Sequence, residues 1–339
     1  MPPISLTNTR GRSSRAPWWL AFALAGLFVA GCGTNPVAHF PAPPPVAPPV
    51  TPPVTPESQI IVETAPPTAD TVAPPVVPVP LRLPRIGLAL GGGAARGFAH
   101  IGVIQVLEEA GIRPNLVVGT SAGSLVAALY ASGKNGSELA QMADTMDESA
   151  FADWSFPLRG VIRGEALAKY VRQNTGGRNI EQMKMPLGIV ATDLNNGQGI
   201  LFQNGDTGVA VRASSSVPAV FQPVLILGRE YVDGGLVAPV PVRYARQMGA
   251  DLVIAVDITA APDGGATGDV MRMLLQTFSI MGRSINTYEL READVVLRPK
   301  LANVGSADFT ARKRSIAAGR EAMLALLPEL KAKIAAKSR

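Results

Sequence analysis

The sequence predicts an α/β fold: a three-layer α/β/α domain around a mixed, mostly parallel central sheet. Residues 85–90 form a short apolar run between Pro84 and three glycines, which is typical of a buried strand. A largely apolar helix over 97–110 and a second strand over 116–118 follow, and this strand–helix–strand unit predicts a parallel pair. Two further apolar runs, over 187–194 and 199–203, flank an Asn-Asn-Gly-Gln turn and predict an antiparallel hairpin.

The remaining elements follow from the same patterns of apolar runs and breakers. A helix over 122–132 directly follows the second strand, and further strands are predicted over 231–232, 251–258 and 294–298. Further helices are predicted over 164–173, 206–214, 241–249, 266–290 and 311–337.

The composition excludes several classes of protein. With 47% hydrophobic and 17% charged residues among 339, the chain can form a sizeable core and is not a disordered polyelectrolyte. The formal charge of +5 is not accompanied by a basic run with interleaved aromatic residues, so nucleic acid is not an expected partner. One cysteine and two histidines exclude a disulfide framework, a cysteine-based zinc site and a multi-histidine metal centre, and no metal or cofactor is expected.

Residues 1–31 have the pattern of a lipoprotein signal peptide. Residues 1–15 contain three arginines and no acid, and residues 16–30 are uncharged and apolar but short for a membrane span. Val29-Ala30-Gly31-Cys32 resembles the bacterial lipobox, in which the cysteine is lipidated and becomes the new N-terminus. This resemblance implies a membrane anchor outside the cytoplasm, and the absence of Asp after Cys32 implies the outer membrane, facing the periplasm. The alternative is an ordinary signal peptide with an incidental cysteine.

Residues 32–84 are predicted to be a proline-rich linker. Seventeen of the 30 prolines lie between Pro36 and Pro84. Because proline fixes φ and lacks a backbone donor, this stretch is expected to be an extended, polyproline-II-like spacer. The remainder shows no internal repeat and is predicted to form one domain over residues 85–335.

A serine lies in the setting of a nucleophile elbow. Gly119-Thr120-Ser121-Ala122-Gly123 matches G-x-S-x-G and joins the strand at 116–118 to the helix at 122–132. Gly119 and Gly123 let the backbone turn sharply, and the helix N-terminus adds positive potential where an oxyanion would form. The pattern predicts Ser121 as a nucleophile, with a helix N-cap as the alternative role.

Asp233 is the predicted base for this serine. No histidine follows residue 100, so a triad in the order Ser, acid, His is impossible, and His100 lies in an apolar helix where a structural role is expected. A carboxylate can replace imidazole if burial raises its pKa toward neutrality. Asp233 ends a short strand, and Gly234 and Gly235 after it let the loop approach another segment; a surface turn is the alternative.

A glycine-rich loop, Gly91-Gly92-Gly93-Ala94-Ala95-Arg96-Gly97, joins the first strand to the first helix. Glycine amides at a helix N-terminus bind anions, either a phosphate or the oxyanion of a tetrahedral intermediate. Dinucleotide binding would need a glycine at Arg96 and an acid at the end of the second strand, and the sequence has neither.

In this order, the glycine loop, the Ser121 motif and Asp233-Gly234-Gly235 resemble the patatin-like phospholipase family, over roughly residues 86–300. The block Ala213-Ser214-Ser215-Ser216-Val217-Pro218 is similar to one that the family carries between its serine and its aspartate. The resemblance implies a patatin-like fold and a lipid acyl hydrolase with Ser121 as nucleophile and Asp233 as base. It implies an oxyanion hole at Gly91, Gly92 and Gly93, with motif support from Arg96, Gly97, Gly119, Gly123, Gly234 and Gly235.

The predicted function is therefore that of a serine carboxylic-ester hydrolase of phospholipase A or esterase type. It would act through an acyl-enzyme on membrane phospholipid or another acyl ester. Two alternatives stay open: acyl transfer, in which an alcohol replaces water, and a non-catalytic envelope lipoprotein that binds lipid or protein.

Overall fold

The computed structural model describes residues 82–146, 163–260, 268, 270–302, 304–305 and 308–338. The predicted signal peptide, Cys32 and the linker up to residue 81 lie outside the described residues. Within the described ranges, no helix combines the length and the apolar character that a membrane span requires. The same ranges contain no cluster of three or more His, Cys, Asp or Glu side chains that could hold a metal ion.

Eight strands in the described part of the chain form one mixed sheet. They are β1 (Ile86–Leu90), β2 (Leu116–Thr120), β3 (Leu187–Asp193), β4 (Gly199–Phe202), β5 (Val224–Ile226), β6 (Arg229–Asp233), β7 (Leu252–Val256) and β8 (Val295–Leu297). Their order is β5-β6-β3-β2-β1-β7-β8, with β4 also paired to β3. Strands β3, β2, β1, β7 and β8 are parallel to one another in this row. Strands β4, β5 and β6 make the antiparallel pairs, including the predicted β3–β4 hairpin.

Eight helices of the described residues connect or follow these strands. They are α1 (Phe98–Glu109), α2 (Ala122–Ala131), α3 (Gly136–Thr145), α4 (Glu165–Asn174), α5 (Thr207–Ser214), α6 (Val242–Gln247), α7 (Val270–Glu289) and α8 (Arg312–Lys337). A single 3-10 turn, Ala94–Gly97, precedes α1, and another, Gly234–Leu236, follows β6.

Alternating side chains of the sheet supply two apolar cores, one on each face. On one face Leu88, Val117, Ile189 and Ile254 pack with residues of α1, α2 and α8. On the other face Ala89, Val118, Val190 and Val253 pack with residues of α6. The two buried faces confirm the predicted three-layer α/β/α class with a mixed, mostly parallel sheet.

Two elements, α3 and β5, were not predicted. Helix α3 has few large apolar residues and buries little more than Leu139 and Ala143, so its apolar pattern is short. The sequence does carry a signal for its start, because Asn135 and Glu138 form a capping box. Each side chain accepts a hydrogen bond from the backbone amide of the other residue, at 2.9 and 2.7 Å. Strand β5 has only three residues, and one of them is exposed, which gives too little pattern to detect.

Candidate active site

The predicted nucleophile, base and glycine loop meet at one edge of the sheet. Strands β1, β2 and β3 are parallel, so Gly91 after β1 and Ser121 after β2 both lie at the carboxyl edge. Strand β6 runs antiparallel to β3 and places Asp233 opposite Ala191, close to the same edge. The strand order therefore assembles residues that are more than a hundred positions apart in sequence.

Ser121 occupies a strained turn. Its φ of 52° and ψ of −125° lie in a region that residues with a side chain rarely adopt. Close packing makes the flanking glycines necessary: a Cβ at Gly119 would lie 2.4 Å from the Gly123 oxygen, and a Cβ at Gly123 would lie 2.1 Å from the Leu90 oxygen. This geometry is that of a strand–turn–helix elbow, which projects the serine hydroxyl from the sheet edge.

Asp233 is a buried carboxylate next to this hydroxyl. Burial raises its pKa to about 6, and hydrogen bonds from the Gly235 amide and the Ser121 hydroxyl offset part of that rise. The Gly235 amide donates to Oδ1 at 2.7 Å, which orients the carboxylate. A carboxylate with a pKa near neutrality that accepts a serine hydrogen bond has the properties of a general base.

The segment Ala213–Pro218 ties the serine and the aspartate together. The Ser121 amide donates to Ser214 Oγ at 2.9 Å, and Ser214 Oγ donates to the Val190 oxygen at 2.6 Å. The Ser216 carbonyl accepts the Asp233 amide at 2.9 Å. Sequence reasoning identified this block only by resemblance and gave Ser214 no role, because no sequence pattern reveals which distant amide a buried hydroxyl reaches.

The glycine loop lies against the serine: a Cβ at Gly92 would be 3.1 Å from the Cβ of Ser121. All three glycine amides were assigned to an oxyanion hole, but two of them are engaged by the fold. Gly91 donates to the Val256 oxygen at 3.0 Å and Gly92 to the Pro239 oxygen at 2.9 Å. Of the three, only the Gly93 amide donates to no acceptor within the described residues.

A second free donor lies at the start of α2. Among the described residues, the amide of Ala122 also donates to no acceptor, as is usual for the first turn of a helix. This amide directly follows Ser121, the position that supplies one oxyanion donor in a G-x-S-x-G elbow. The motif itself was the signal that could have identified Ala122, and the sequence analysis did not use it.

His100 and Arg96 hold the carbonyls of the glycine loop. His100 Nε2 lies 2.8 Å from the Gly91 oxygen, and because a carbonyl only accepts, Nε2 carries the proton. Burial lowers the pKa of His100 to about 4, so the ring is neutral at pH 7. Arg96 is also buried, and its Nε donates to the Gly93 oxygen at 3.4 Å. The two side chains fix the peptide units on either side of the Gly93 amide. The hydrogen bond of His100 is therefore made to the glycine loop.

The sequence is similar to those of known proteins. Residues 88–246 match the family described as "Patatin-like phospholipase". An uncharacterized NTE family protein of Mycobacterium tuberculosis is 39% identical over 186 residues, which cover 54% of this chain and 51% of that protein. Patatin-like phospholipase domain-containing protein 6 of Homo sapiens is 35% identical over 181 residues, which cover 51% of this chain and 13% of that protein. The chain thus spans about half the length of the mycobacterial relative and a smaller share of the human one.

Among solved structures, the heterodimeric ExoU–SpcU complex from the type III secretion system of Pseudomonas aeruginosa is similar to this chain. The alignment has a TM-score of 0.45 and 20% sequence identity, and it covers 76% of this chain and 53% of that chain.

Proposed function

We propose, from the premise that residues 88–246 form a patatin-like phospholipase domain, that this chain hydrolyses acyl esters of membrane lipids with Ser121 as nucleophile and Asp233 as base. The observation that carries the proposal is the position of the Ser121 hydroxyl beside the buried carboxylate of Asp233, whose pKa burial raises to about 6. At pH 7 such a carboxylate is largely ionised, yet basic enough to take the proton of an attacking hydroxyl.

The first half of the reaction acylates the enzyme. Asp233 takes the proton from Ser121 Oγ as that oxygen attacks the ester carbonyl carbon. The oxygen of the tetrahedral intermediate lies at the amides of Gly93 and Ala122, and the N-terminus of α2 adds positive potential there. Asp233 then returns the proton to the departing alkoxide, which leaves as the lysolipid or alcohol, and the acyl group stays on Ser121.

The second half repeats these steps with water. Asp233 takes a proton from a water molecule as its oxygen attacks the acyl-enzyme, and the same amides stabilise the second tetrahedral intermediate. Collapse of that intermediate releases a fatty acid, and Ser121 recovers its proton from Asp233. The proton that Ser121 loses leaves on the alcohol and a proton of the attacking water replaces it, so the net reaction consumes one ester bond and one water.

The test is product analysis on phospholipid vesicles. The purified chain is expected to release equal amounts of free fatty acid and lysophospholipid, and adding an alcohol in excess is expected to leave fatty acid as the main product. A new ester of that alcohol as the main product would instead establish acyl transfer. No turnover of phospholipid or of soluble acyl esters would contradict the proposal.

We also propose that lipidated Cys32 anchors the chain outside the cytoplasm, on the outer membrane facing the periplasm. The support is the pattern of residues 16–32, which ends in Val29-Ala30-Gly31-Cys32. Cys32→Ser is expected to abolish lipid labelling while activity on soluble esters survives. Mass spectrometry of the mature N-terminus decides the assignment, because an unmodified Cys32 or a retained Met1 would contradict it.

A further inference from the structure

Helix α7 exposes an apolar stripe. Six of its large apolar side chains are exposed: Val270, Met273, Leu274, Ile280, Met281 and Tyr288. The exposed small residues Thr277 and Ser284 lie between them, and the exposed Arg272 and Arg283 lie beside them. At 3.6 residues per turn the six apolar side chains fall within a stripe about 120° wide, while Gly282, Asn286 and Glu289 face the protein. A surface helix normally directs polar residues outward, so this arrangement indicates that something apolar covers the stripe.

The N-terminal half of α7 projects beyond the active-site edge of the sheet. Asn286 accepts the Val240 amide at 3.2 Å and donates to Thr259 Oγ1 at 2.9 Å, which places it beside the carboxyl end of β7. The helix returns the chain from β7 to the parallel strand β8, so residues before Asn286 rise past that edge. From Asn286 back to Met273 the rise is about 20 Å.

A second apolar projection flanks the site from the other side. Strand β6 is antiparallel to β3, so the β5–β6 hairpin extends past the carboxyl end of β3. Its turn residue Leu227 is 99% exposed and Leu225 is 69% exposed. From Asp233 to Leu227 an extended strand spans about 20 Å, which is close to the projection of α7.

We propose that these two projections, the α7 stripe and the tip of the β5–β6 hairpin, are the surface with which the domain docks onto a lipid bilayer. Both rise from the edge that carries Ser121 and Asp233, so docking directs the catalytic edge at the substrate. The inference rests on the proposed function, because a bilayer is the covering that an enzyme of membrane lipids meets.

The charges beside the stripe favour an anionic membrane. Helix α7 contains Arg272 and Arg283 and one acid, Glu289, which lies at its far end and pairs with Arg243. Basic residues next to an apolar stripe are typical of helices that lie in the headgroup region of anionic bilayers.

A local probe tests docking separately from the lipid anchor. The full chain carrying C32S and S121A receives one new cysteine for a polarity-sensitive fluorophore, either by Met273→Cys or by Leu324→Cys. The two sites are matched, at 51% and 52% exposure, but Leu324 lies on α8. With vesicles of phosphatidylethanolamine and phosphatidylglycerol, the probe at 273 is expected to shift to the blue and to be quenched by lipid-borne quenchers, whereas the probe at 324 stays as in water.

Two results would overturn the proposal. One is a probe at 273 that behaves like the probe at 324, whether or not the protein floats with the vesicles. The other is a probe at 273 that is already shielded without lipid in a protein that sediments as a dimer, which would make the stripe a self-association surface.

Kinetics separate failure of docking from failure of the proposed function. In the otherwise native chain, Met273→Gln with Ile280→Gln removes apolar surface at little cost in helix propensity. Hydrolysis of vesicle phospholipid is expected to fall at least about tenfold while the rate on a soluble short-chain ester stays unchanged. Leu324→Gln is expected to change neither rate. Unchanged vesicle hydrolysis in the double variant would contradict docking alone, whereas inactivity of the unsubstituted chain on both substrates would contradict the proposed function.

Discussion

Ser121→Ala is expected to lower ester hydrolysis at least about a thousandfold, because no other group can form the acyl-enzyme. The fold is expected to survive, since alanine fits the same strained turn and the amide at 121 still donates to Ser214. Initial rates on a soluble ester, together with thermal unfolding of both proteins, measure the two effects separately.

Ser132→Ala provides the matched control for that substitution. Ser132 is also buried, at the other end of α2, and its hydroxyl bonds locally to the Leu129 oxygen at 2.7 Å. Its removal is expected to leave the rate within about twofold, because a local helix hydrogen bond contributes only about 1 kcal/mol to folding. Full activity of the Ser121→Ala variant would exclude Ser121 as the nucleophile.

Asp233→Asn is expected to lower turnover by a similar factor, because the amide keeps the shape of the side chain but cannot accept the serine proton. The same substitution is expected to preserve or raise the stability of the folded state. The folded-state pKa of about 6 lies above the ordinary value of 3.8, so the folded state loses stability as the pH rises from about 4 to about 6, and the full penalty remains at higher pH. At pH 8 the neutral variant is therefore expected to unfold at the same temperature as the native chain or a higher one.

His100→Gln distinguishes the two candidate bases. Glutamine can still donate to the Gly91 oxygen, so this variant is expected to retain activity within about tenfold. If Asp233→Asn were fully active while His100→Gln were inactive, the base would be the histidine.

The elements that bring Ser121 and Asp233 together were predictable, because these elements are buried and their sequence signals are local. Strands β1 and β2 are wholly buried, and glycines lie at the carboxyl end of each, Gly91 after β1 and Gly119 within β2. The flanking glycines of Ser121 follow from the close approach at Gly119 and Gly123, which any sharp strand–helix turn requires. The aspartate was found by elimination, since histidines are too scarce and too early in the chain to complete a triad.

The parts that escaped prediction depend on long-range contacts. Whether an amide of the glycine loop is free depends on which carbonyls approach it, and Pro239 and Val256 lie far along the chain. The role of Ser214 has the same origin, because its partners, Ser121 and Val190, come from two other elements. The exposure of the apolar stripe of α7 is likewise not predictable from the sequence, since a period of 3.6 does not say whether protein or solvent faces the stripe.

The most direct test of the Ser121–Asp233 pair is the pH dependence of covalent trapping. A fluorophosphonate is added to the native chain and to Asp233→Asn, and mass spectrometry follows labelling of the Ser121 peptide over time. In the native chain the labelling rate is expected to rise with pH through an apparent pKa of about 6 and then level off, because only the ionised carboxylate accepts the proton. In Asp233→Asn labelling is expected to be slow and to lack that step. Labelling at another residue, or the same pH profile in both proteins, would contradict the assignment.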